Sequence, residues 1–151
     1  MEQINWINYQ YQLLRYQHDH VTGEFANIGM VYFDAKTSSL FWRFEDKGYS
    51  RLSHFFGYKV QGSFILSVLK ELNKELQMVE REGLQRFQSI EVLTNFILSP
   101  DDNGWYFSQV WKGRHFEHSL NFEELYARII GRYQEESIKR QDDALNMLPT
   151  T

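Results

Sequence analysis

The run of residues 25–33 restricts the fold most, because nearly every side chain in it is apolar. A run of this length and composition is typical of a β-strand that is buried on both faces, and we expect it to be a central strand of a sheet. Upstream, large apolar residues alternate with glutamine over 9–13, which predicts a half-buried strand that ends near Tyr16. Downstream, Leu40 and Trp42 share one face of a third strand, which we expect to form an antiparallel hairpin with the second.

The second half of the chain has helical spacing. Apolar residues recur every three or four positions over 63–83, which predicts a long helix. Similar spacing predicts a shorter helix over 89–98 and a final helix that Asn121 caps, with a strand over 105–111 and a loop at 112–113 between them. Strands followed by helices indicate an α+β domain. We expect a mainly antiparallel sheet of three to five strands, with three or four helices packed on one face.

Length and composition limit the domain organisation and the class of protein. A chain of 151 residues suits a single domain, which we place at 1–136, and the polar residues 137–151 are expected to fray. The net charge of −4 argues against a general attraction to nucleic acid or to an anionic membrane. The absence of Cys excludes disulfides, thiolate metal sites and a cysteine nucleophile. No apolar run is long enough to span a bilayer and the N-terminus lacks signal-peptide features, so we expect a cytoplasmic protein without a membrane partner.

One polar stretch carries residues that suit a metal site. His18 and His20 are two residues apart, so their rings can project to the same side, and Glu24 adds a carboxylate. Such a set would serve a metal-dependent nuclease or phosphodiesterase. The competing interpretation is that the histidines decorate an exposed loop and that Glu24 pairs with Arg15 or Arg43 across the sheet. A single weak spacing favours this second interpretation, and we expect no metal and no cofactor.

Other signals of chemistry in the sequence are weaker. His115 and His118 form a second pair, but Glu117 is the one acidic residue close to them in sequence. The phosphate-binding loop, the dinucleotide-binding loop and the nucleophile elbow of familiar enzyme families do not occur in the sequence. The familiar nucleotide and hydrolase sites are therefore excluded.

A group of cationic residues follows the third strand and alternates with aromatic residues. It consists of Lys47, Arg51, His54 and Lys59. Aromatic rings beside cations can stack on bases, so this group is a candidate nucleic-acid surface of an adaptor protein. The negative net charge favours the plainer interpretation of a solvated face over core aromatics, and nucleic acid is not the partner that we expect.

Two stretches of the sequence resemble a known bacterial family. Residues 11–16 read Tyr-Gln-Leu-Leu-Arg-Tyr, and residues 23–33 read Gly-Glu-Phe-Ala-Asn-Ile-Gly-Met-Val-Tyr-Phe. They are similar to the opening Y-x-x-L-R-Y and the following G-E-F-x-N-V-G-V-V-L-F of the family called domain of unknown function 3037 (DUF3037). Residues 107–110 and 124–130 also resemble the closing strand and helix of that family. The resemblance implies a small bacterial protein, often encoded beside a HipA-like kinase, and it implies no catalytic residue because the family offers none.

The signature residues Gly23, Glu24, Asn27 and Gly29 also have a physical interpretation. Gly23 permits a positive φ where the loop enters the strand. Asn27 lies in an apolar strand, so its amide has to hydrogen-bond a neighbouring loop or a ligand. Gly29 leaves room in mid-strand for a bulge, or for the close approach of a helix or a partner. We favour structural roles for these residues over a ligand site.

The leading hypothesis is a non-enzymatic protein-binding module or accessory subunit. The partner that the resemblance suggests is a HipA-like kinase in a toxin–antitoxin or defence setting, an association that no sequence chemistry demands. Whether the protein also forms a homo-oligomer is left open by the sequence. The alternatives are an enzyme that uses His18, His20 and Glu24, and a nucleic-acid adaptor.

Overall fold

The computed structural model describes residues 5–17, 25–45, 62–99 and 104–131. Within these ranges the chain forms five β-strands and three α-helices. The strands are β1 (Ile7–Gln17), β2 (Phe25–Asp34), β3 (Ser39–Phe44), β4 (Trp105–Phe107) and β5 (Trp111–His115). The helices are α1 (Gly62–Glu82), α2 (Ile90–Ile97) and α3 (His118–Tyr126), with a 3-10 turn at Leu84–Arg86 and a π-helical turn at Ala127–Gly131 that continues α3. None of these helices is long and apolar enough to cross a membrane.

The five described strands form one antiparallel sheet in which β1 and β2 are central. The order runs β3, β2, β1 and β4, with β5 also paired to β1. The eleven residues of β1 are long enough to pair with two short strands in succession, β5 along 7–11 and β4 along 14–16. The expected α+β class, the antiparallel sheet and the hairpin of β2 with β3 are confirmed.

The single strand expected over 105–111 is in fact two strands, and the loop expected at 112–113 lies inside β5. Ser108 interrupts the ladder. Its side-chain Oγ accepts from the Leu13 N–H at 2.9 Å, while its own N–H donates to the Leu13 carbonyl at 2.8 Å. Ser108 thus bonds both the N–H and the carbonyl of Leu13, and one of these bonds uses its side chain instead of its backbone. The regular pairing of β4 with β1 ends there, and β5 begins three residues later.

The helices cover both faces of the sheet, whereas we expected them on one. On one face α1 and α2 pack against residues that include Leu14, Ile28, Val31, Phe33 and Leu40. On the opposite face α3 and the turn after it pack against Leu13, Met30 and Tyr32 through Phe122, Leu125, Tyr126 and Ile130. The cause is β2 itself, because a strand that is apolar on both faces needs an apolar cover on each.

A β-bulge lies in the middle of β2. Leu14 pairs with Gly29 and Arg15 pairs with Asn27, so Ile28 has no partner of its own on β1. A bulge of this kind changes which face the following residues occupy. Here it lets Ile28 join the core under α1 while Asn27 stays on the other face beside Arg15.

Glutamine side chains of β1 fix the position of α2. Gln10 Oε1 accepts from the Ile90 N–H at 3.0 Å, at the helix N-terminus that Ser89 caps. Gln12 is buried; its Nε2 donates to the Ser108 carbonyl at 2.7 Å and its Oε1 accepts from the Thr94 hydroxyl at 2.6 Å. Gln10 and Gln12 of β1 therefore face α2 rather than solvent.

The last helix begins earlier than the sequence predicts. The Glu117 carboxylate accepts from the N–H groups of Ser119 at 2.9 Å and Leu120 at 2.7 Å, so it caps a helix that starts at His118. Asn121, expected as the cap, is buried one turn inside the helix, where its amide donates to the Tyr32 hydroxyl. A glutamate can take the capping position because its carboxylate also interacts favourably with the helix dipole.

Candidate functional site

The two stretches that carry the family resemblance meet at Arg15. Arg15 of β1 lies directly opposite Asn27 of β2, and its Nε donates to Asn27 Oδ1 at 2.9 Å. The partner of the Asn27 amide is thus a side chain on the neighbouring strand, not a loop. The hydrogen bond fixes the plane of the guanidinium and uses its Nε, which leaves the two terminal nitrogens as further donors.

Aromatic rings surround this guanidinium. Its central carbon lies 4.3 Å from the centre of the Phe25 ring and 5.7 Å from that of Trp111. Trp111 in turn stacks on Tyr11, with ring centres 5.4 Å apart. We call these residues, Tyr11, Arg15, Phe25, Asn27 and Trp111, the Arg15 surface. Each cation–π contact at such a partly exposed place is worth about 0.5–1 kcal/mol, so the rings also help to hold the guanidinium.

The Arg15 surface is open to solvent beside the area that α3 covers. Phe25 is 44% exposed, and Arg15, Tyr11 and Trp111 are half-buried. Cavities of about 360, 440 and 320 Å³ occur in the molecule, but other residues line them. The Arg15 surface is not part of these cavities, and its exposed aromatic area suits contact with another macromolecule.

The electrostatics of the surface favour an anionic ligand. In the described part of the chain no group accepts from the terminal nitrogens of Arg15, and no carboxylate pairs with it. Burial, with a smaller effect of Tyr9, raises the pKa of Tyr11, while Arg128 acts on it in the opposite direction. Tyr11 therefore stays a neutral phenol at physiological pH, and Arg128 adds a second cation to its surroundings.

A second polar cluster joins the β2–β3 turn to α3. His118 Nε2 lies 3.1 Å from Asp34 Oδ2, and His118 Nδ1 lies 2.7 Å from the Tyr32 hydroxyl. The Asn121 amide donates to that same hydroxyl at 3.0 Å, so the Tyr32 hydroxyl contacts both the imidazole and an amide of α3. Thr37 donates to Asp34 Oδ2 at 2.9 Å. We call these residues, Tyr32, Asp34, Thr37, His118 and Asn121, the His118 cluster.

The His118 cluster has the components of an acid–base site but not the geometry. The hydroxyl of Thr37 is on the same ring nitrogen as Asp34, 3.0 Å from Nε2, whereas a nucleophile and an orienting acid occupy opposite nitrogens. The hydroxyl on the other nitrogen belongs to Tyr32, which is fully buried, and burial raises its pKa to about 12. The cluster is instead suited to fix the β2–β3 turn against α3.

Some of the remaining candidates from the sequence lie within the described residues, and they have other partners. Arg43 is paired through both terminal nitrogens with Glu123, which raises the Arg43 pKa and lowers that of Glu123. His115 lies 3.8 Å from Glu124 and so does not share a partner with His118. Among the described residues no group of three or more His, Asp or Glu side chains is arranged to hold a metal ion.

Several predicted features lie outside the described residues. They are the loop candidates His18, His20, Gly23 and Glu24, the cationic group Lys47, Arg51, His54 and Lys59, and the tail 137–151. The metal-site and nucleic-acid hypotheses that rest on them stay predictions.

Sequence reasoning named Arg15 and Asn27 separately, but only the bulge in β2 brings them together. It missed the link from His118 to Asp34, which are 84 residues apart.

Comparison with known proteins identifies a family. A family model described as a protein of unknown function, DUF3037, matches residues 11–130. No curated protein and no solved structure matches the chain. The matched region contains every residue of the Arg15 surface and of the His118 cluster.

Proposed function

The chain belongs to the DUF3037 family, and from that premise we propose that it is a non-enzymatic protein-binding module that contacts its partner through the Arg15 surface. The observation that carries the proposal is the oriented guanidinium of Arg15. It is fixed by Asn27, lies against the rings of Phe25 and Trp111, and has terminal nitrogens that no described residue uses.

The composition of the surface supports a protein partner. Tyr, Trp and Arg are the residues that most often dominate the free energy of protein–protein association. An arginine that is already oriented loses less conformational entropy on binding than a free one. An exposed Phe beside it supplies apolar area at the same place. A HipA-like kinase, suggested by the family resemblance, is the partner class we propose first.

The acid–base groups of the described chain support a binding role more than a catalytic one. In the His118 cluster each polar atom that faces the imidazole already has a hydrogen-bond partner inside the protein. A catalytic acid or base has to reach a substrate atom directly or through one water. The His118 cluster instead joins two elements that flank the sheet.

Site-directed photo-crosslinking in the native host tests the proposal. Phe25 is replaced by p-benzoylphenylalanine, which keeps an aromatic ring beside Arg15. Phe96, an exposed residue on the outer side of α2, receives the same group as the matched control. We expect one protein to become attached at position 25 but not at position 96, and mass spectrometry then identifies it. Equal labelling from both positions, or none from position 25, would contradict the proposed function.

A further inference from the structure

We propose that the Arg15 surface binds the side-chain carboxylate of an Asp or Glu residue in an extended segment of the partner protein. This inference rests on the proposed function and specifies the chemical group that the surface recognises.

The free atoms of the site match a carboxylate in geometry. With Nε occupied by Asn27, the two terminal nitrogens of Arg15 form a fork of parallel N–H donors, and a carboxylate accepts from such a fork with both oxygens. Within the described ranges Asn27 Nδ2 donates to no acceptor, so it offers a further N–H on the same side of the strand. The same amide thus orients the arginine and can contact its ligand.

The charge at the site matches a single negative charge. Phosphate groups are usually recognised by several arginines together. Here Arg15 is the one cation among the five residues of the Arg15 surface, and the charge of Arg128 has only a minor effect on the Tyr11 pKa. The exposed cations of β5, Lys112 and Arg114, alternate with Trp111 and therefore point to the opposite face of the sheet. A carboxylate is neutralised by one guanidinium, whereas a phosphate would keep an unpaired charge.

The exposed apolar area of the surface favours a side chain within a segment over a free carboxylate. Phe25 is 44% exposed, and the rings of Phe25 and Trp111 lie against the guanidinium. A partner segment whose carboxylate reaches Arg15 can therefore place neighbouring apolar residues on these rings. The chain itself carries a net charge of −4, so an accessible guanidinium without a carboxylate partner is a place where an acidic segment meets attraction instead of repulsion.

Binding of three capped pentapeptides to the full chain tests the inference. The sequences are Gly-Phe-Glu-Phe-Gly, the same peptide with Gln for Glu, and the same peptide with phosphoserine for Glu. Binding is followed through the NMR signal of the Arg15 Nε–H group, which is assigned by its loss in Arg15→Lys. We expect the Glu peptide to bind at least about tenfold more tightly than the Gln peptide, and the phosphoserine peptide to bind no more tightly than the Glu peptide.

Two variants and one matched control identify the site. Arg15→Lys keeps the charge but removes the fork, and we expect it to weaken the Glu peptide at least about tenfold. Asn27→Asp places a carboxylate within reach of Arg15, so we expect a folded protein that no longer binds the peptide. Arg114→Lys, at an exposed arginine that lies 6.0 Å from the Trp6 ring, should bind like the unaltered protein. For the variants, binding is followed by intrinsic tryptophan fluorescence, and folding by circular dichroism.

The results separate this inference from the proposed function. Equal binding of the Glu and Gln peptides, tighter binding of the phosphoserine peptide, or equal effects of Arg15→Lys and Arg114→Lys would overturn the carboxylate site. A protein attached at position 25 would still support the binding module in each of these cases. A dimer of the free protein that dissociates in Arg15→Lys would place a second copy on the surface and would also overturn the inference.

Discussion

At Gly29 the missing side chain is a requirement of the sheet. A Cβ atom built there would lie 2.7 Å from the Arg43 carbonyl oxygen and 3.0 Å from Phe44 Cα, both backbone atoms of β3. Backbone atoms of a paired strand cannot yield as the end of a flexible side chain can. The sequence predicts that space at this position matters, but not that the neighbour is β3 rather than a helix.

We expect Gly29→Ala to lower the free energy of unfolding by about 1–3 kcal/mol, because the added methyl group forces β2 and β3 apart. Urea denaturation measures the change. Gly131→Ala is the matched control, since a Cβ there meets its nearest atom at 3.9 Å. If both variants had the same stability, β3 would not approach Gly29 as closely as the structure shows.

Tyr32 gives the protein a measurable dependence on alkaline pH. Burial raises its pKa from 10.0 to about 12, so between these values the unfolded chain loses the phenolic proton while the folded chain keeps it. The contribution of Tyr32 is present in full below pH 10 and is lost as pH rises towards 12. At about 1.4 kcal/mol per pKa unit, the loss is at most about 3 kcal/mol.

We expect the free energy of unfolding of Tyr32→Phe to fall less steeply between pH 10 and 12 than that of the unaltered protein. At neutral pH the same variant should be less stable by about 1–3 kcal/mol, because His118 Nδ1 and the Asn121 amide lose their partner. Urea titrations at a series of pH values measure both effects. Tyr106→Phe, at a half-buried tyrosine of β4, serves as the control, and an identical slope in both variants would refute the assignment.

Among the elements, α2 is the one whose position depends most visibly on buried polar groups. The alternation of Gln10 and Gln12 with aromatic residues predicts a strand with one solvated face. The structure instead covers that face with α2 and satisfies each amide, Gln10 at the helix N-terminus and Gln12 between Thr94 and Ser108. Local alternation reports the strand correctly, but it cannot distinguish a solvated glutamine from one whose partners lie 80 or more residues away.

Thr94→Val tests this arrangement. The substitution keeps the shape of the side chain but leaves the buried Gln12 Oε1 without its donor, and we expect a loss of about 1–3 kcal/mol in the free energy of unfolding. Val92→Thr makes the reverse change at a position of the same helix that is 51% exposed. It should alter stability by less than about 0.5 kcal/mol, and thermal denaturation of the two variants provides the comparison. Equal stabilities would mean that Gln12 finds another donor.

For the whole molecule, the α+β class follows from the change in apolar spacing along the chain, whereas the two-sided cover does not. The apolar run of β2 predicts burial on both faces, but nothing local assigns α3 to one side or the other. That assignment comes from contacts of Phe122 and Tyr126 with the far face of the sheet. The Arg15 surface escapes prediction for a similar reason, because only the bulge at Ile28 places Asn27 beside Arg15.

Adjacent leucines of β1 test the two-sided arrangement. Leu13 packs under α3 and Leu14 packs under α1, and both are buried. We expect Leu13→Ala and Leu14→Ala each to cost about 2–5 kcal/mol in the free energy of unfolding, as for a leucine in a closed core. A sheet covered on one face would show a large loss for Leu14→Ala alone. Guanidinium denaturation of both variants distinguishes the two cases.

The position of β1 at the centre of the sheet also determines the order in which the fold can be completed. Its neighbour β2 follows it closely in the sequence, but β4 and β5 are made much later. Gln12 of β1 and its partner Ser108, for example, are 96 residues apart. Contacts this distant in sequence slow folding, because a large loop has to close before they form. During synthesis one edge of β1 therefore stays unpaired until residues 105–115 have been made. An unpaired strand edge is a site where chains associate wrongly, so we expect the interval between the synthesis of β1 and that of β5 to expose this protein to aggregation.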